Sequence, residues 1–253
     1  MVISLAERAE RLRALHLPGQ PVILPNAWDP PSAAAVADAG FPAVATGSAA
    51  VAASLGHPDG ERIPAAEMFT AVARIAAAVG ELPLTADIES GYGLDPKALI
   101  DELLTAGAVG CNLEDSDPAT GRLVDVERHA ERLAAVRTAS ADAGVPVVIN
   151  ARVDVYLPKT GVAPADQLAE ALARGRRYLA AGADCVYPIL VSDEQSIAAL
   201  VAGLGTVNVM FRPNAPTLPR LAELGVARVS WGSGIHAQVM AGLRTLLGEL
   251  ATS

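Results

Sequence analysis

The sequence predicts a closed (β/α)8 barrel on three observations. About eight short aliphatic runs alternate with helix-like stretches, and strands that alternate with helices pair in parallel. The 253 residues are 51% hydrophobic but only 4% aromatic. The core must then be built from Ala, Val, Leu and Ile, which suits strands covered on both faces by helices. Eight strand–helix units in this length match the size of such a barrel. A doubly wound open sheet competes, but no G-x-G-x-x-G follows the first strand. Nothing resembling a linker or low-complexity stretch interrupts residues 1–253, so one barrel domain is expected.

Leu5, Ala9, Leu12 and Leu15 recur at helical spacing across residues 3–16. They predict an extra amphipathic helix ahead of the first strand, ended by Pro18-Gly19. Strands are then expected at 21–25, 43–46, 84–86, 109–113, 145–150, 184–188, 206–210 and 226–230. Asn26-Ala27-Trp28-Asp29 reads as a polar loop, with a helix from Pro30, because proline suits a first helical turn. Ala39-Gly40, Ala106-Gly107, Ala181-Gly182 and Leu224-Gly225 mark helix ends that lead into strands.

Composition narrows the function. A net charge of −9 argues against nucleic acid and anionic membranes as partners. Cys111 and Cys185 lie in apolar runs and read as buried, inert thiols, so a reducing cytoplasm is expected. With no signal peptide and no apolar run of spanning length, a soluble protein is expected.

In this architecture the chemistry lies at the carboxyl ends of the strands. Asp87 and Glu89 follow the third predicted strand and are expected on one side of an extended chain. Two desolvated acids repel unless something positive separates them, and a hard cation with oxygen ligands, Mg²⁺ or Mn²⁺, fits that need. Glu114, after the fourth strand, is expected to orient the cation's waters. Arg152, after the fifth, offers a planar fork to a substrate carboxylate; internal salt bridging with Glu114 and Asp154 is the alternative. Thr46-Gly47-Ser48 reads as an anion-binding nest. Asp59 lies in the His57–Glu61 loop, where it is either solvated or closes onto the substrate. Cation, arginine and nest leave room for a small 2-keto acid whose enolate the metal stabilises.

Assembled in order, N-A-W-D at Asn26–Asp29, A-T-G-S at Ala45–Ser48, P-D-G at Pro58–Gly60, T-A-D-I-E-S-G-Y-G at Thr85–Gly93, N-L-E-D at Asn112–Asp115 and N-A-R-V-D at Asn150–Asp154 make nearly the whole chain resemble the isocitrate lyase/phosphoenolpyruvate mutase superfamily. The resemblance implies a Mg²⁺-dependent (β/α)8 barrel that cleaves or forms C–C or P–C bonds of small 2-keto or 2-hydroxy acids through a pyruvate enolate. By position, Asp87, Glu89 and Glu114 look like the metal acids and Arg152 like the substrate arginine. Thr46–Ser48 matches the carboxylate-binding turn, Asp59 the loop aspartate and Asn208 a substrate asparagine. It also implies a homodimer or homotetramer, with the last helix swapped between subunits.

The resemblance stops at the loop after the fourth strand. Isocitrate and methylisocitrate lyases carry K-K/R-C-G-H there, whereas this chain has Ser116-Asp117-Pro118-Ala119-Thr120-Gly121-Arg122. A short-loop lyase acting on oxaloacetate or a related acid is therefore the leading expectation. A P–C bond enzyme and a barrel that binds a 2-keto acid without turnover are the alternatives. A phosphate-binding barrel, from Gly232-Ser233-Gly234 before the last helix, is a fourth.

Overall fold

A computed structural model describes residues 3–252. The first helix, α1 (Leu5–Ala14), opens with a reciprocal capping box between Ser4 and Glu7. The first barrel strand is divided at Pro25 into β1 (Val22–Leu24) and β2 (Asn26–Ala27). The expected polar loop at Asn26 is thus half strand. Proline lacks the N–H that a continuous ladder needs, and the chain changes partner there. β1 pairs with β9 (Arg228–Ser230), and β2 pairs with β3 (Val44–Thr46).

From β3 the parallel ladder runs through β4 (Leu84–Asp87), β5 (Gly110–Glu114), β6 (Val148–Val153) and β7 (Cys185–Pro188). A parallel bridge from Val186 to Val207 leads on to β8 (Asn208–Met210), which pairs with β9. Counting β1 and β2 as one, eight parallel strands close into a ring. The strand expected at 145–150 lies three residues later. Ser140 explains the shift: its hydroxyl donates to the Val145 carbonyl and accepts from the Val147 N–H, which holds this stretch as a turn.

Helices cover the outside: α2 (Pro30–Asp38), α3 (Ser48–Ser54), α4 (Ala65–Val79), α5 (Pro96–Thr105), α6 (Val126–Asp142), α7 (Gln167–Ala180), α8 (Glu194–Leu204) and α9 (Leu218–Glu223). Asp29, Asp95, Asp125, Asp193 and Thr217 cap five of them through their side chains. The main core lies between strands and helices. A second cluster sits at the amino end of the barrel, where Ala9 and Leu12 of α1 plug the ring against Val22, Leu24, Ala43, Ala45 and Val148. Sealed at that end, the barrel offers chemistry at the other.

The last helix, α10 (Gly234–Ala251), is built differently, since none of its residues is buried. Val239, Leu243, Leu246, Leu247 and Leu250 stand exposed along it. Among the described residues no helix is long and apolar enough to cross a membrane.

Candidate active site

Strand alternation brings part of the expected constellation to the open mouth. Glu114 and Arg152 are register partners on β5 and β6, and Arg152 Nη1 lies 2.6 Å from Glu114 Oε2. Arg152 also grips Asp154 with two bonds, from Nε at 2.7 Å and Nη2 at 3.2 Å. The salt-bridged arrangement thus forms. A guanidinium has five N–H groups, and these three bonds leave two. Asp154 and Glu114 hold the Arg152 pKa well above its ordinary value despite burial. Burial pushes the Glu114 carboxyl up, against the pull of Arg152, with Asp154, Asp87 and Glu89 adding to the push. These five groups therefore share one electrostatic neighbourhood.

Asp115, one residue on, points the other way. Tyr178 and Arg174 on α7 hold its carboxylate at 2.8 and 3.2 Å, and it accepts the Asp154 N–H at 2.8 Å. The E-D pair thus divides, Glu114 to the mouth and Asp115 to the scaffold.

Asp87 and Glu89 reach the mouth by a different route from strand alternation. β4 ends at Asp87, and Glu89 has φ +51°, so the extended geometry fails between them. Glu89 is held from two sides, by the Tyr92 hydroxyl at 2.8 Å and the Glu61 N–H at 2.7 Å. Burial, first of all, pushes its carboxyl up to about 7, with Asp59 and Asp87 adding repulsion. Glu61 in turn accepts from the Ser90 N–H and hydroxyl and the Tyr92 N–H, all within 2.9 Å. Glu61, Glu89 and Tyr92 all adopt left-handed backbone, with φ of +56°, +51° and +55°. Such strain in side-chain-bearing residues persists only where the surroundings impose it. Sequence reasoning missed Glu61 and Tyr92, because no spacing rule foretells left-handed geometry in a residue other than glycine.

The Thr46–Ser48 turn is already employed. Ser48 donates to Asp87 Oδ2 from its N–H (3.1 Å) and hydroxyl (2.8 Å), and Thr46 Oγ1 accepts the Asp87 N–H. Gly47 packs so closely that a Cβ would lie 2.9 Å from the Gly232 carbonyl oxygen. The nest therefore aims an acid before it meets any substrate. Asp87 Oδ1 remains buried without a hydrogen-bond partner.

Asp59 is exposed, at the apex of the loop that Glu61 fastens to the rim. Asn208 is fully buried and exchanges hydrogen bonds with Ser230. Beside it on the ladder lies a residue absent from the sequence reading, Arg228, 1% exposed. Its Nη2 donates to Asn112 Oδ1, while Nε and Nη1 have no partner. This buried cation lies within electrostatic reach of Asp87.

Among the described residues no three Asp, Glu, His or Cys side chains are grouped to chelate a cation by themselves. Magnesium needs no such cage, since it keeps several waters and takes one or two carboxylates. The orphaned Asp87 Oδ1 fits direct contact with a divalent cation. Glu89 and Glu114, whose oxygens are partly committed, fit contact through water.

Comparison with known proteins places the chain in a family. The profile described as "Phosphoenolpyruvate phosphomutase" matches residues 12–251. The chain belongs to that family. It is thereby an enzyme of the isocitrate lyase/phosphoenolpyruvate mutase superfamily, whose members are C–C lyases and mutases. A solved structure from Burkholderia cenocepacia J2315, named as a candidate phosphonomutase, is 46% identical with a TM-score of 0.90, covering 96% of this chain and 99% of its own. An uncharacterized protein of Mycobacterium tuberculosis, Rv1998c, is 37% identical over 93% of this chain and 88% of its own length. Oxaloacetate decarboxylase 2 of Pseudomonas fluorescens is 27% identical over 87% of this chain and 75% of its own.

Proposed function

We propose that this phosphomutase-family enzyme is a divalent-metal-dependent lyase that cleaves a C–C bond of a small 2-keto or 2-hydroxy acid. The observation that carries the reading is the unpartnered Asp87 Oδ1, buried among acids that already feel one another. Mg²⁺ or Mn²⁺ held by Asp87, with Glu89 and Glu114 acting through its waters, would supply a Lewis acid for the keto oxygen. Arg152 offers its two remaining N–H groups to the substrate carboxylate, and Glu114 and Asp154 fix the plane of that fork. Thr46 and Ser48 keep Asp87 aimed, Gly47 allows the rim to close against Gly232, and Asn208 supports the floor. Asp59, on the loop beside Glu89, would give a proton to the enolate carbon left when the C–C bond breaks and regain one from solvent. The name of the Pseudomonas relative supports an oxaloacetate-like acid.

The test is a panel of 2-keto and 2-hydroxy mono- and diacids, assayed with Mg²⁺ and with EDTA. Metal-dependent release of a 2-keto acid product is expected; silence across the panel with Mg²⁺ present counts against the reading. The family description and the Burkholderia relative favour a second reading, a P–C bond substrate. Phosphorus NMR separates the two, because only the second moves phosphorus.

The exposed apolar row on α10 supports a homo-oligomer, a dimer or tetramer in which this helix packs on a second copy. The low aqueous exposure of both free cysteines accords with a cytoplasmic setting.

A further inference from the structure

Asp59 stands exposed at the apex of its loop, whereas an acid that transfers a proton needs a fixed position. Little of the loop supplies one. His57 gives its N–H to the Ala52 carbonyl at one end, and Ile63 is buried at the other. Among the described residues, every hydrogen bond from residues 58–62 to the rest of the molecule is made by Glu61.

Those bonds close a ring of three residues. The Glu61 carboxylate accepts the Tyr92 N–H, the Tyr92 hydroxyl donates to Glu89, and Glu89 accepts the Glu61 N–H. Each member bonds to the next, so the three are held or released together. All the donors to the Glu61 carboxylate, the Ser90 N–H and hydroxyl and the Tyr92 N–H, converge on Oε1. The far side of the turn is braced by the barrel helices. Arg132 of α6 donates to the Ser90 and Leu94 carbonyls, and a Cβ on Gly91 would collide with its Nη2. Phe69 of α4 meets the Tyr92 ring edge-on, with centroids 6.4 Å apart. The turn that carries Glu89 is therefore fixed to the barrel, and Glu61 passes that order across to the loop of Asp59.

We infer that Glu61 is a positioning residue, a latch that holds the proton donor Asp59 in one fixed relation to Glu89 at the rim. The inference rests on the proposed function and extends it to a residue that touches neither cation nor substrate there. Reach, and not charge, is what such a latch requires. Glutamine keeps the reach and, through its own Oε1, all three acceptor bonds. Aspartate keeps the charge but falls one methylene short. Substrate affinity should be nearly untouched, since Arg152 is held by Glu114 and Asp154 and makes no bond to Glu61.

Two measurements test it: steady-state kinetics at saturating Mg²⁺ on the acid of the panel that turns over, and amide hydrogen exchange of segments 57–63 and 88–94 read by mass spectrometry. Glu61→Ala and Glu61→Asp should each lose about 10²-fold in kcat, the scale expected for a misplaced group, with KM within about threefold. Glu61→Gln should keep both constants within about threefold of wild type, because its bonds persist. The two segments should lose protection together in Glu61→Ala and Glu61→Asp and keep it in Glu61→Gln, while the other strands exchange as in wild type. Should Glu61→Ala fail to fold, Glu61→Asp carries the same comparison. Wild-type kcat in folded Glu61→Ala, or an active Asp variant beside an impaired Gln variant, overturns the latch. Unchanged protection in Glu61→Ala, or loss confined to one segment, overturns it as well and needs no turnover to be seen. An inactive wild type removes the lyase reading instead, and the exchange pattern still decides whether the latch exists.

Discussion

Arg152 makes three bonds to two acids, Glu114 and Asp154. Removing it leaves Glu114 and Asp154 buried without their counter-charge. Breaking a buried pair in this way typically costs about 3–5 kcal/mol. Arg152→Met should therefore lower the denaturation midpoint as well as abolish activity, and urea unfolding reads the difference. Asp87→Asn should behave in the opposite sense. It deletes one of several mutually repelling charges, so metal-dependent binding should vanish while stability holds or rises. Arg228 provides a third case. It is a buried cation with two nitrogens unpartnered, and a charge buried without a counter-charge carries a desolvation cost that an apolar side chain of similar volume lacks. Arg228→Met is expected to unfold within about 1 kcal/mol of wild type, and a much larger loss would show that its charge holds the acids of the mouth in place.

At the scale of elements, α1 is a plug, and its two buried contacts can be tested separately. Leu12→Ala should cost roughly 2–5 kcal/mol, the usual range for a cavity left in a packed core. His16, just past the helix, is buried with Nδ1 at 2.8 Å from the Leu12 carbonyl, and burial presses its pKa down to about 4. Its folded pKa lies below the unfolded value of about 6.5, so the unfolded chain takes up the proton first. This contribution to stability is intact above pH 6.5 and is lost as pH falls toward 4, at about 1.4 kcal/mol per pH unit. In His16→Asn the stability gap to wild type should narrow by that slope, as followed by urea unfolding at several pH values.

The elements were largely legible in the sequence, since helix caps, Ala-Gly ends and aliphatic runs are local signals. The shift of β6 was not, because Ser140 and Val147 meet through a turn that no periodicity announces. The same division runs through the site. Glu114 and Arg152 follow from strand alternation, whereas Glu89 depends on left-handed backbone and on Glu61 from a distant loop.

For the molecule as a whole, the face of α10 sets the expected behaviour. Five large aliphatic side chains on one unburied helix form a patch of the sort that marks an interface. Light scattering should report a dimer or tetramer. Leu246→Glu with Leu250→Glu should reduce the assembly to protomers that keep their helical circular dichroism, and an unchanged mass would show that the row lies outside the contact. The pairing of β1 with β9, which closes the ring, has a kinetic corollary. Val22 meets Arg228 from nearly the opposite end of the polypeptide, and contacts so remote in sequence form slowly because the intervening chain must first be gathered. The seam between them is thus the last stave set into the cask. A nascent chain halted before residue 226 would leave β1 with an open edge, ready to borrow a neighbour's strand.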